Sequence, residues 1–294
     1  MSDRFKNIWR KIFIRLLVIL LLAPFIVTTV FYFHLTGDMH SEVRYYANML
    51  DVKPKDISVT TQDGIKLSGW YLSGKPDKAA VVLLHGIGAS RMQMVDQARF
   101  LQRNGHTVVL FDFRNHGTSS GNRTTYGWRE RFDAIAMVDF IREIHPERKV
   151  VLWGLSMGAA TALLSAPEIA GLDGAIVESP FDSMENTFYH HNGLYFHLPD
   201  YPLIPMILGI IGFFGNYDID KVSPIEAVKR SQNIPMLFVA GKEDKRMIPE
   251  LVKSIADAHK GEHRYFLGEG SHAIIFQTTG DPYKKEVLEF LKNI

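Results

Sequence analysis

VVLWGLSMGAATALLS, residues 150–165, is the stretch from which the rest of the chain is read. Val150 to Trp153 is an uninterrupted apolar run, the pattern of a strand buried on both faces. Gly154-Leu155-Ser156-Met157-Gly158 then has the G-x-S-x-G form, and Ala159 to Ser165 is good helix-forming sequence. A strand, a tight turn and a helix in that order make an elbow that lifts the serine hydroxyl clear of the sheet. The flanking positions must be glycine because a Cβ there would clash in so sharp a turn. The helix that follows offers free N–H groups and the positive end of its dipole, which favour negative charge developing beside Ser156. Ser156 is the candidate nucleophile.

Outward from the elbow, short apolar runs alternate with segments of helical period. The runs are Ala79–Leu84, Thr107–Phe111, Lys149–Trp153, Gly174–Val177, Pro235–Val239 and Arg264–Leu267. Helices are predicted near Met92–Arg103, Trp128–Glu143, Ser156–Ser165, Pro249–Ala258 and Pro282–Leu291. Before them, Ile57–Thr61 and Ile65–Tyr71 flank Asp63-Gly64 and read as a hairpin. The pattern predicts an α/β fold with a mostly parallel central sheet flanked by helices. Residues 181–234 break the rhythm; about 181–219 is expected to be a lid inserted over the active face. It contains YHHNGLYFHLPDYPLIPMILGIIGFFG, residues 189–215, rich in aromatic and apolar side chains. A plain packed lid, a lid dipping into a bilayer surface and a wall for an acyl chain are the three readings of it. Pro202–Gly215 is too short and too interrupted for a second membrane span.

An elbow serine needs an acid and then a histidine further along the chain. After the run MLFVA comes Gly241-Lys242-Glu243-Asp244, and Asp244 is the candidate acid with Glu243 as the fallback. After RYFL comes Gly268-Glu269-Gly270-Ser271-His272, and His272 is the candidate base. His85-Gly86-Ile87-Gly88 closes the run VVLL, where the backbone can approach an oxyanion. The main-chain N–H groups of Ile87 and Met157 are the expected donors. Asp112, Arg114 and His116 fall in a Gly- and Ser-rich loop and read as a structural polar network. Among the 12 histidines, His106, His145, His259 and His263 read as surface residues. His190, His191 and His197 cluster in the expected lid, but no carboxylate sits beside them at ligand spacing, so no metal is expected.

The chain resembles the α/β-hydrolase superfamily over nearly all of residues 57–294. Within it the likeness is to membrane-anchored serine hydrolases of the Bem46 and lysophospholipase-like group. The residues that carry this are HGIGAS at 85–90, FDFRNHGTSSG at 111–121, GLSMG at 154–158, ESPF at 178–181, SPIEAV at 223–228, GKED at 241–244, GSH at 270–272 and DPYKKEVLEFL at 281–291. The resemblance implies Ser156 as nucleophile, Asp244 as acid, His272 as base and no cofactor. One departure is that Pro249 lies five residues after Asp244, where the family places a proline four after its acid.

Composition bounds the rest. The chain has 294 residues, 33 Lys+Arg against 32 Asp+Glu, and no cysteine. Near-neutral charge gives no reason to expect nucleic acid as a partner. The lack of thiols excludes disulfides, thiolate metal sites and a cysteine nucleophile. The charge is uneven: Arg4, Lys6, Arg10, Lys11 and Arg15 stand against Asp3 alone in the first 15 residues, leaving a net of −3 for the remainder. Next to them, LLVILLLAPFIVTTVFYF, residues 16–33, runs 18 residues without charge. At about 1.5 Å per residue this approaches the thickness of a bilayer core. No small-residue cleavage site follows it, so the expectation is an uncleaved signal anchor over residues 1–37 rather than a secretory signal. Trp9 and Tyr32 suit its two interfaces, and the basic end keeps the N-terminus cytoplasmic. Residues 38–55, with Tyr45, Tyr46 and Pro54, read as a juxtamembrane connector with some helix, and 56–294 as the α/β domain. The expected activity is hydrolysis of an ester or thioester, including lipid substrates with acyl chains. A serine peptidase or amidase with the same triad, or a catalytically silent tethered binding module, are the alternatives. Oligomeric state is not readable.

Overall fold

The computed structural model describes residues 3–45 and 49–294; within the first helix the side chains of 3–5, 16–24, 27 and 31 lie outside the description. The central sheet has eight strands: β1 Lys55–Thr60, β2 Lys66–Leu72, β3 Ala80–Leu84, β4 Thr107–Phe111, β5 Val150–Leu155, β6 Gly174–Glu178, β7 Met236–Gly241 and β8 His263–Gly268. Their spatial order is β8-β7-β6-β5-β3-β4-β2-β1. From β4 to β8 every pairing is parallel, and the β1–β2 hairpin is joined antiparallel to β4. This is the α/β-hydrolase fold expected from the alternating pattern.

The central strands read as continuous apolar runs because both of their faces are covered. Val82, Leu84, Val109, Leu152, Val177 and Phe238 point to one face, against helices α3 Glu130–Ile144, α4 Met157–Ser165, α7 Pro224–Lys229 and α8 Pro249–Ala258. Val81, Leu83, Leu110, Trp153, Ile176 and Leu237 point to the other, against α2 Val95–Arg103, α9 Ile275–Thr279 and α10 Asp281–Asn293. The predicted helix at 92–103 begins instead as a 3-10 turn, Arg91–Met94, before α2. Ser90 caps that turn, and Asp112 draws the backbone N–H of Arg91 at 2.8 Å, so the tighter geometry satisfies the first donors.

Between β6 and β7 lie α5 Met184–His191, a π-helical turn Asn192–Phe196, and α6 Asp200–Gly215. α6 buries Ile204, Ile207, Leu208, Ile210 and Ile211 and leaves Tyr201 and Phe213 exposed. The N-terminal helix α1 runs from Asp3 to Thr36, and its last turns pack on α6, where the Tyr32 and Phe214 rings stack at 5.5 Å. Among the described residues no helix is long and apolar enough to cross a membrane. The expected span at 16–33 falls largely on side chains outside that description. The connector differs from expectation: its described part holds no helix but a two-residue strand, Met39–His40, paired in parallel with His116–Gly117. The loop after β4 supplies the open backbone edge that draws it in. Tyr46 lies outside the described residues.

Candidate active site

The elbow forms as the spacing requires. Ser156 has φ 55° and ψ −116°, a conformation costly for any residue with a Cβ and held here by its surroundings. A Cβ on Gly154 would lie 2.2 Å from the Gly158 carbonyl oxygen, and one on Gly158 would lie 2.1 Å from that of Leu84. The two glycines therefore let α4 sit directly on β3. The Ser156 N–H donates to Glu178 O at 2.8 Å, fixing the turn to the end of β6.

Three strand ends then converge. Ser156 Oγ lies 2.9 Å from His272 Nε2, and His272 Nδ1 lies 2.8 Å from Asp244 Oδ2. A carboxylate can only accept, so Nδ1 carries the proton and Nε2 is free to accept from the serine. Asp244 Oδ1 accepts from the backbone N–H groups of Arg246 and Met247, each at 2.9 Å. Asp244 is buried while Glu243 is exposed, and of the two it is Asp244 that meets His272. Burial by itself would raise the Asp244 carboxyl. The hydrogen bond and charge of His272, with those from Met247 and Ser179, outweigh it and hold the group below the usual carboxylate range.

Ser179 is a partner that the sequence reading did not assign. Its hydroxyl donates to Asp244 Oδ2 at 2.8 Å, from a backbone at φ 52°. The signal was its place immediately after β6, beside the elbow strand. Glu178, one residue earlier, is fully buried and accepts from Tyr283 Oη at 2.8 Å. Burial pushes its carboxyl up to about 7, against the pull of the Tyr283 hydrogen bond, with the Asp244 charge adding to the rise.

Ile87 lies on the loop after β3 and Met157 at the first position of α4. Gly86 lies against Ser156: a Cβ there would be 3.6 Å from Ser156 Cβ. The loop is braced from behind by the polar network read at 112–116. Asp112 takes Arg91 Nη2 at 2.7 Å, and Arg114 binds both Asp133 and Asp63. His85 Nε2 accepts from Phe113 N–H at 3.0 Å, and His116 Nε2 from Gly88 N–H at 3.2 Å. Burial and the neighbouring His116 push His85 down to about 3, so it stays neutral and can accept.

Two histidines read as surface residues are instead interior. His106 and His259 are buried, each with a ring nitrogen facing a carbonyl, that of Ala79 at 3.2 Å and of Ser231 at 3.1 Å. In each case a main-chain carbonyl near a strand or helix end partners one ring nitrogen, a contact that sequence alone does not show. Among the described residues no group of three or more His, Asp or Glu is placed to hold a metal ion.

A cavity of about 510 Å³ opens over Ser156 and His272. Phe188, Leu203 and Ile207 line it from the 181–219 interval. Thr28, Leu35 and Met39 line it from the end of α1 and the residues just after, a contribution that reading α1 only as a tether does not foresee. Burial and the charges of His190, Arg246 and His272 push His191, also in the wall, down to about 4.

A family model described as serine aminopeptidase, S33, matches residues 75–196. The uncharacterized protein YqkD of Bacillus subtilis is 26% identical over 235 residues, 79% of this chain and 77% of that one. The uncharacterized membrane protein YNL320W of Saccharomyces cerevisiae is 25% identical over 227 residues, 74% of each. The thiohydrolase aneE of Aspergillus aculeatus is 34% identical over 117 residues, 38% of this chain and 36% of that one. Among solved structures, the Pyrococcus furiosus esterase Pf2001 is similar with a TM-score of 0.71 and 26% identity, over 87% of this chain and 98% of that one.

Proposed function

We propose that this chain, an α/β hydrolase by its fold and its likenesses, is a membrane-anchored serine hydrolase that cleaves carboxylic esters or thioesters. The observation that carries the reading is the unbroken hydrogen-bonded chain Ser156–His272–Asp244 at the floor of an apolar cavity. In this mechanism His272 Nε2 takes the Ser156 proton as Oγ attacks the substrate carbonyl. Asp244 holds the tautomer and stabilises the imidazolium. The N–H groups of Ile87 and Met157 receive the oxyanion of the tetrahedral intermediate. His272 then protonates the departing alcohol or thiol, leaving an acyl group on Ser156. Water attacks that acyl-enzyme with His272 again as base, releasing the acid and restoring the serine.

The likeness to a solved esterase supports an ester-type leaving group. The family description points to a second reading, an aminopeptidase. Such an enzyme needs an acceptor for the substrate's cationic amine, and among the described residues no carboxylate lines the cavity, whose only ordinarily charged lining side chain is Arg246. That favours an uncharged acyl group. The 181–219 interval acts as the lid. The anchor is α1, with its five basic residues cytoplasmic and the hydrolase domain on the far side of the membrane.

The test is labelling of the full-length chain in detergent by a fluorophosphonate probe, followed by a panel of esters, thioesters and aminoacyl anilides. Labelling is expected, and it should vanish in both Ser156→Ala and His272→Ala. A folded parent chain that takes no label would overturn the reading.

A further inference from the structure

The cavity over Ser156 has a wall that belongs to the anchor. Thr28 and Leu35 of α1, and Met39 just beyond it, line the same space as Ser156 and His272. In a helix, positions 28, 32, 35 and 36 fall on one face. Thr28, Tyr32 and Thr36 are buried on it and Leu35 is half-buried, while Ile26, Val30 and Phe33 on the opposite face are exposed. The threonine hydroxyls of the inner face bond within α1 itself, and His34 beside them also lines the cavity. The Thr28 hydroxyl donates to Phe25 O at 3.0 Å, and that of Thr36 to Tyr32 O at 2.9 Å.

This wall is fixed to the hydrolase domain. The Thr36 carbonyl accepts from Thr124 N–H at 3.0 Å, and that of Gly37 from Asn115 Nδ2 at 2.6 Å. Tyr126 Oη donates to Leu35 O at 3.3 Å, and Met39 and His40 pair with His116 and Gly117. On the other flank Tyr32 and Phe33 pack on Phe214 of the lid helix. Asn115 and His116 belong to the loop that braces Gly88, so one set of contacts holds both the wall and the backbone near the nucleophile.

We propose that the last turns of α1 form the end wall of an acyl-chain pocket and set the chain length this enzyme accepts, with Leu35 and Met39 as the determining side chains. The inference rests on the serine-hydrolase reading above. A chain extending from an acyl group on Ser156 runs between the lid and α1 and stops against them. Each buried methylene contributes about 0.8 kcal/mol, roughly a fourfold preference per carbon until the wall is reached.

The test compares kcat/KM for p-nitrophenyl esters from four to sixteen carbons, with the full-length chain in detergent micelles. Leu35→Trp is expected to lower the ratio of twelve-carbon to four-carbon rates by roughly fifteenfold, the worth of about two methylenes. Leu35→Ala and Met39→Ala are expected to move the optimum to longer chains, and they keep the question answerable if the tryptophan variant does not fold. Val30→Trp enlarges the exposed face of the same helix and should leave the profile as it is. An unchanged profile in the Leu35 and Met39 variants, or an equal change in Val30→Trp, would overturn the inference while leaving the hydrolase reading intact. A parent chain that neither labels with fluorophosphonate nor cleaves any ester would remove that reading and the inference with it.

Discussion

At Asp244 four donors meet one carboxylate. Oδ1 takes two backbone N–H groups, while Oδ2 takes His272 and the Ser179 hydroxyl. The amides hold the carboxylate at one angle, so the imidazole has one orientation to adopt. Replacing the acid by its amide keeps the shape but places a donor where His272 needs an acceptor. Asp244→Asn is therefore expected to lower kcat by roughly 10⁴ while the variant stays folded. Glu243→Gln, on an exposed side chain, should stay within about twofold. Steady-state kinetics on any ester the parent cleaves measures both. The meeting of Ser156, His272 and Asp244 was legible because each stands at a strand end within a recognisable motif. Ser179 was not, because its role comes from a positive φ and a partner 65 positions away. His106 and His259 were misread for the same kind of reason, since the carbonyls that satisfy them are distant in the chain.

Among the elements, the end of β6 and helix α10 are joined through Glu178 and Tyr283 inside the core. The unfolded chain releases the Glu178 proton near 4.5, whereas the folded chain keeps it to about 7. Between those values the folded state binds more protons, so this group's contribution to stability is present below the lower value and is lost as pH rises through the higher one. The span corresponds to roughly 3 kcal/mol at 1.36 kcal/mol per pH unit. Glu178→Gln keeps an acceptor for Tyr283 and removes the titration. Relative to the parent chain, its Tm is expected to rise between pH 5 and about pH 8, read by thermal unfolding across that range. A parallel pair of curves would exclude Glu178 as the source. Strand and helix order was legible because buried strands and amphipathic helices have different periods. The inward face of α1 was not, because its hydroxyl-bearing residues Thr28, Tyr32 and Thr36 are uncharged and lie in or just after a run that reads as a membrane span on every side.

For the whole molecule, the proposed anchor predicts which side of a membrane the α/β domain occupies. The chain contains no cysteine, so any cysteine introduced is the only thiol it carries. Lys260→Cys and Lys6→Cys, both at exposed positions, mark the domain and the basic end separately. A membrane-impermeant maleimide applied to intact cells is expected to label the first, and to reach the second only after permeabilisation. The opposite pattern would reverse the orientation and make the domain cytoplasmic.

The stitching of Thr36, Gly37, Met39 and His40 to the loop after β4 has a mechanical consequence. A domain on a slack leash can sweep a hemisphere and meet its targets at any height. One moored at the root of its own mast cannot. Whatever sets the tilt of α1 also sets the attitude of Ser156, so under the proposed anchoring that serine would work at one fixed altitude above the surface that holds the helix. Its search would then be two-dimensional, confined to molecules that lie in that plane or come to it.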